Sequence, residues 1–243
     1  MSELAWLLAP MCALVLAAVT LVPLGREVLQ RGVVFVDLAL AQGAACGALL
    51  SALWWDHPAV WKVQASASLA ALLLAGLVAW VVQRWPAQRE ALIGLLYVAG
   101  ANLALWGASW EPHGRERLDQ LLSADVLWAP WSAIAWFGVC AAPVWLLSLR
   151  WPKTLARNAL FYPLFAVVLS AAVPLLGLYL VFALLIAPAL WTFKGHSLVA
   201  TIALAVGACL LGLAVSWTWD APSGACVALA AALMGLGSLW KRS

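Results

Sequence analysis

Few side chains in this sequence can do chemistry, and most of them stand in or beside long apolar runs. Asp37 and Gln42 lie five positions apart near the start of one such run, Gln64 opens another, Asn102 falls within a third, and Asp125 precedes a fourth. A carboxylate and an amide carbonyl are oxygen donors, suited to brief coordination of a passing cation. Each also has a structural reading. An acid in a first helical turn is favoured by the helix dipole, and a buried amide can hydrogen-bond to a neighbouring helix. Five residues advance a helix by about 500°, so Asp37 and Gln42 point roughly 140° apart and do not make a pair by themselves.

The three histidines, His57, His113 and His196, fall between apolar runs. His57 follows Asp56, and His113 sits in the charged stretch from Glu111 to Asp119, so both could line a rim attractive to a divalent cation or simply be solvated; no HxxxH spacing occurs. The five cysteines form no CxxC pair and read as small core residues. No GxxxxGK[ST] loop is present, so energy for any pumping must come from a partner chain or an ion gradient; nor is there an HExxH, GxSxG or paired GxD signature of an intramembrane enzyme.

The elements that must position these groups follow from composition. Of 243 residues, 66% are hydrophobic and 9% charged, far from the one quarter charged of soluble domains. Apolar runs near twenty residues recur along the whole chain, each long enough to cross about 30 Å of hydrocarbon. Stretches such as Leu69 to Val82 are apolar on every face, which excludes the alternating strands of a β-barrel. The expectation is an all-α integral membrane protein, one transmembrane domain over residues 1–243, with spans near 4–23, 36–55, 63–82, 91–109, 126–149, 197–217 and 222–240. Residues 159–193 are too long for one span, and Pro174 and Gly177 at their middle predict two helices meeting at Val173 to Gly177. This makes a helical bundle of nine spans, or eight if that segment counts as one. Only Ser2 and Glu3 precede the first run in addition to Met1, so it reads as a retained helix rather than a cleaved leader.

Orientation follows from the basic residues. With the amino terminus outside, Arg26, Arg31, Arg84, Arg89, Arg150, Lys153, Arg157, Lys194, Lys241 and Arg242 fall on the cytoplasmic side, and Lys62, Arg115 and Arg117 outside. That asymmetry places the carboxyl terminus in the cytoplasm. Many tryptophans, among them Trp54, Trp85, Trp110, Trp151, Trp219 and Trp240, stand near span ends, where an indole buries its ring and still finds a hydrogen-bond partner. The net charge of +3 is spread over few residues, without the basic and aromatic patch of a nucleic-acid binder.

Several segments together resemble the metal-type permeases of bacterial ABC importers. Leu40 to Gly47 (LAQGAACG) is similar to the family's second helix, Glu90 to Tyr97 (EALIGLLY) to the start of a middle helix, and Leu121 to Leu127 (LLSADVL) to its LFGDxL-type segment. Gly177 to Ala189 resembles its glycine-to-proline helix, with Pro188 as that proline, and Trp219 to Ala225 (WDAPSGA) its DxPxG loop. One departure stands out: Gln42 occupies the place of the usual histidine, Leu38 that of the usual aspartate, and Asp37 comes one residue early. The shared helix face of an aspartate and histidine four apart is lost.

The resemblance implies a permease subunit in the bacterial cytoplasmic membrane that moves a divalent metal, zinc or manganese, as substrate and binds no cofactor of its own. It implies as partners a cytoplasmic ATP-binding subunit, an extracytoplasmic metal-binding protein and a second permease copy. Asp37, Gln42 and Asp125 are then candidates for the translocation pathway, with Asp37 and Gln42 as transient metal ligands. Pro174, Gly177 and Pro188 are candidates for a helix break or gate. The basic segment Trp151 to Leu160, with Lys153, Arg157 and Asn158, is the candidate coupling segment for the ATPase. The same architecture carrying a metal chelate or a cobalamin-like cofactor is the alternative, ahead of an intramembrane enzyme.

Overall fold

A computed structural model of the chain describes residues 7–55, 59–110 and 113–240. His57, Lys241 and Arg242 lie outside the described residues, as does the side chain of Lys153. In chain order the helices are α1 (Leu8–Arg31), α2 (Val36–Trp54), α3 (Val60–Arg84), α4 (Arg89–Ala108), α5 (Gly114–Leu122), α6 (Trp131–Arg150), α7 (Pro152–Leu155), α8 (Asn158–Leu176), α9 (Leu178–Phe193), α10 (Leu198–Trp219) and α11 (Ser223–Gly237). Among the described residues there is no strand. Among the described residues six helices are long and apolar enough to cross a membrane, and most of α2 and all of α9 and α11 are shorter apolar helices. Leu149, Val199, Leu211 and Trp240 are among the many large apolar side chains left exposed. Water would not tolerate so much apolar surface, so lipid is the solvent of this face. The protein is a multi-pass membrane bundle.

Three expectations about boundaries are corrected. The first span does not stop at residue 23: α1 runs through Pro23 to Arg31 and ends at Gly32, whose left-handed backbone (φ 59°) lets its N–H reach back to Leu29 and Val28. Proline inside a membrane helix removes one bond without ending the helix when neighbours pack around it, and Pro23 is buried. The fifth span begins at Trp131, after Pro130, because residues 126–128 form a separate 3-10 turn. The charged stretch around His113 is not all loop, since Gly114 to Leu122 coils into α5.

The expected break is present. α8 ends at Leu176, and Gly177 (φ 79°, ψ 150°) redirects the chain into α9. That backbone is strained for any residue with a Cβ. A side chain there would also meet the Ala124 amide at 2.5 Å, so the loop after α5 lies directly on the turn. Pro174 sits in the last turn of α8 and removes the amide that would otherwise bond to the Ser170 carbonyl. Gln64 of α3 supplies the missing donor: its Nε2 reaches that carbonyl at 3.1 Å, beside a 2.9 Å contact between the Ser68 and Ser170 hydroxyls. The structure thus gives Gln64 a structural role.

The buried centre is built around α1, α8 and α9, with Phe161, Tyr162, Phe165 and Phe137 its largest fully enclosed rings. α1 and α9 meet at Gly25, where a Cβ would stand only 1.8 Å from the Leu185 carbonyl oxygen. No side chain separates the two backbones. Pro188, the sequence candidate for a gate, is buried in α9 three residues beyond this contact.

Candidate functional site

An open groove of about 880 Å³ runs along one flank of the bundle. Its walls come from α2 (Leu38, Gln42), α4 (Tyr97, Ala101, Leu105), α5 (Leu118, Leu122), α9 (Leu178 to Leu190) and α11 (Ala225 to Leu236). Leu38 and Gln42 are four apart and therefore share a helix face. Gln42 brings an amide into walls that are otherwise apolar except for the hydroxyls of Tyr97 and Tyr179. It is almost fully buried, and Gly100 of α4 packs behind its Cβ. What such a groove offers a cation is weak: one neutral carbonyl oxygen and two phenols, without a fixed cage. Among the described residues no three His, Cys, Asp or Glu side chains converge as metal ligands.

Asp37 is not in that groove. The helical phase that brings Leu38 and Gln42 to it turns Asp37 away into the protein, where the residue is 1% exposed and its carboxylate oxygens find no side-chain partner. Its charged neighbour is Glu90, at the start of α4. Glu90 in turn accepts the Phe35 N–H at 3.3 Å through one oxygen and leaves its other oxygen buried and unpartnered. A carboxyl group buried without a bonded cation, as Asp37 is, is costly, and Asp37 and Glu90 lie at the end of the bundle where α1 stops and α2 and α4 begin.

Asp125 holds a joint. It precedes the 3-10 turn, accepts the Leu127 N–H at 3.2 Å, and accepts a short hydrogen bond from the Ser223 hydroxyl at the start of α11. Next to it, Gly224 lets the α11 backbone approach the Ala124 carbonyl. The loop 122–125 is therefore wedged between the Gly177 turn and α11, at the end of the bundle opposite Asp37 and Glu90. Asn102 belongs to neither region. It donates to the Val98 carbonyl of its own helix at 2.8 Å and stays exposed on α4.

The segment 151–160 folds as the short helix α7 followed by the start of α8, with Arg157 exposed and Asn158 bonded to Arg31. His113, which precedes α5, is exposed and stands 3.6 Å from the Glu116 carboxylate. Sequence reasoning missed Glu90 as an acidic neighbour of Asp37, and Ser223 and Gly224 as the seat of the Asp125 loop. For Glu90 the signal was available in the acid at the first turn of α4; for the seat it was not, because Asp125 and Ser223 are 98 residues apart.

Residues 152–242, which include the α9 and α11 walls of the groove, match the sequence profile of the ABC 3 transport family. No curated protein sequence matches the chain. Among solved structures the fold is similar to that of a chain of PsaBC from Streptococcus pneumoniae in complex with Fab, at a TM-score of 0.75 and 18% identity, covering 98% of this chain and 92% of that one. The carboxyl-terminal part of the chain is thus similar in sequence to the ABC 3 transport family, and the chain as a whole shares the fold of that solved structure from end to end.

Proposed function

We propose that this chain is the membrane-spanning permease of an ATP-driven importer for a divalent metal ion, zinc or manganese, and that it works as a pair of identical copies enclosing the groove. The observation that carries this reading is the groove itself: an open membrane-level channel half, walled by family-matching α9 and α11, with Gln42 as its one amide. A half-open groove is completed by a facing copy. Asn102 supports the same conclusion, because it is exposed thirteen residues into α4, about 20 Å along the helix, where lipid offers its amide no partner.

In this reading the end of the bundle bearing Arg31, Arg84, Arg89, Arg150 and Arg157 faces the cytoplasm. There the α7 segment receives the ATP-binding subunit, with Lys153 and Arg157 as contacts. The opposite end, with α5 and the Asp125 joint, receives an extracytoplasmic binding protein. Pro174, Gly177 and Pro188 set where α8 and α9 bend as access alternates. Gln42 coordinates the ion weakly enough to release it, and Asp37 and Glu90 offer carboxyl oxygens toward the cytoplasmic end. ATP-dependent uptake of zinc and of manganese by vesicles containing the permease with its ATPase tests the reading; absence of uptake for both would refute it.

One observation favours a second cargo. Apart from Gln42 and two tyrosines the groove is apolar, which suits a metal chelate or cofactor better than a bare ion. Uptake of chelated metal with exclusion of the free ion would decide for it.

A further inference from the structure

Arg31 ends α1 with every one of its N–H groups engaged. Its Nη1 donates to the Glu27 carboxylate at 2.6 Å and to the Glu27 carbonyl at 2.9 Å, one turn back on α1. Its Nη2 donates to the carbonyls of Ala156 at 2.8 Å and Leu155 at 3.4 Å, and its Nε to Asn158 Oδ1 at 3.2 Å. The guanidinium plane also lies 3.9 Å from the centre of the Phe161 ring. The carbonyls of 155 and 156 close the end of α7, where a helix leaves acceptors without partners of its own. Arg31 therefore fastens the α7 segment, α1 and the first turn of α8 into one body. An arginine fork with five engaged donors and a stacked face is not replaceable by lysine, whose single ammonium can meet neither the geometry nor the number of acceptors.

A second contact extends this body to the groove. Six residues before Arg31, Gly25 sets the α1 backbone against the Leu185 carbonyl of α9, and α9 is a wall of the groove. No flexible side chain lies between them to absorb a displacement, and close-packed elements transmit rather than cushion small shifts.

We propose that Arg31 is the positioning residue that couples ATP hydrolysis to transport: it carries motion of the α7 segment into α1, and the Gly25 contact hands that motion to α9. The proposal rests on the reading of α7 as the ATPase dock. Glu27 holds the guanidinium from within α1, and the 155–156 carbonyls are the load it moves.

The test uses the permease with its ATPase and binding protein, reconstituted in vesicles, and reads zinc or manganese taken up per ATP hydrolysed. Arg31→Lys is expected to keep the ATPase bound and hydrolysing within about twofold while uptake per ATP falls tenfold or more. Asn158→Ala, which removes one exposed bond of the five, is expected to lower the ratio no more than about twofold, and Glu27→Gln to fall between. Loss of uptake and hydrolysis in equal proportion across the series, or an unchanged ratio in Arg31→Lys, would overturn the proposal. Should Arg31→Lys fail to fold, the order of Glu27→Gln and Asn158→Ala still decides, and equal ratios in those two overturn it. A crosslink from Arg157→Cys to the ATPase in the otherwise unaltered complex checks the underlying reading separately, since its absence removes α7 as the dock whatever the ratios show.

Discussion

Adding one methyl group at Gly25 should do more damage than its size suggests. The new Cβ of Gly25→Ala would lie 1.8 Å from the Leu185 carbonyl oxygen, 2.7 Å from its carbon and 3.3 Å from its Cα, all backbone atoms that cannot rotate aside. A carbon and a carbonyl oxygen rest at about 3.3 Å, so α1 and α9 must part by about 1.5 Å. Both are lined there by fully buried side chains, among them Leu21, Leu24, Val28, Leu184 and Ala189. Overpacking by a methylene costs about 1–3 kcal/mol where side chains can adjust, and an obstacle made of backbone puts this case near 3 kcal/mol. That is roughly a hundredfold in the folding equilibrium, or a fall of about 6–12 °C in the melting midpoint for a chain of this size. Gly76→Ala is the control, because nothing lies within 4 Å of a Cβ there; removing a helix-interior glycine should leave the midpoint unchanged or raise stability by up to about 1 kcal/mol. Thermal unfolding of the two purified variants beside the parent, in one detergent, measures the difference. A Gly25→Ala protein as stable as Gly76→Ala would show that α1 and α9 do not meet backbone to backbone.

The other expectations are more local. Gln64→Leu leaves the Ser170 carbonyl without its donor and should cost about 1–3 kcal/mol by the same unfolding assay, with uptake per folded molecule unchanged. Asp125→Ala removes both the turn cap and the Ser223 bond, so hydrogen exchange in residues 114–130 should quicken about tenfold or more, whereas Ser223→Ala should give a smaller rise. Gln42→Leu should slow metal uptake several-fold without loss of protein from the membrane, since leucine suits apolar walls. Asp37→Asn replaces a buried carboxyl group whose oxygens have no side-chain partner and should not lower stability, so a fall in uptake there, larger than that of Gln42→Leu, would mark the carboxyl group as functional; unchanged uptake would return it to a structural role. Reporter fusions should place Ser2 outside and Ser243 in the cytoplasm, and the reverse result would refute the assigned orientation.

Local chemistry made part of this legible from sequence. The turn at Gly177 was readable because a proline and a glycine three apart, in a segment too long for one span, leave few other conformations. The separation of Asp37 from Gln42 was readable from helical phase alone, and the structure puts them on different sides of α2. Phase cannot tell which of the two faces a cavity, however, and the sequence treated both as pathway residues. A helix end at Pro23 is a fair expectation from sequence but not the outcome, because a proline's effect depends on what packs around it, and α1 is packed here by α9, some 160 residues later. α5 was hidden by its charge: Arg115, Glu116 and Asp119 read as a solvated loop, while Leu118 and Leu122 on its other face reach the groove. The Arg31 cluster shows the same limit. Its pairing with Glu27 is an i,i+4 spacing that sequence contains, whereas its bonds to residues 155, 156 and 158 span more than 120 positions.

The amide of Gln64 on the Ser170 carbonyl bears on how the chain is made. A helix carrying Pro174 arrives in the membrane with one carbonyl that its own backbone cannot satisfy, and hydrocarbon offers nothing in its place. The donor belongs to α3, which is synthesised well before α8. Synthesis from the amino terminus therefore has the partner already in the bilayer when the defective turn arrives. Exchanging the order of these two segments in a permuted gene, with every contact of the finished protein kept, would oblige α8 to wait with an open carbonyl in lipid. Such a chain should insert poorly even though its folded state is the same.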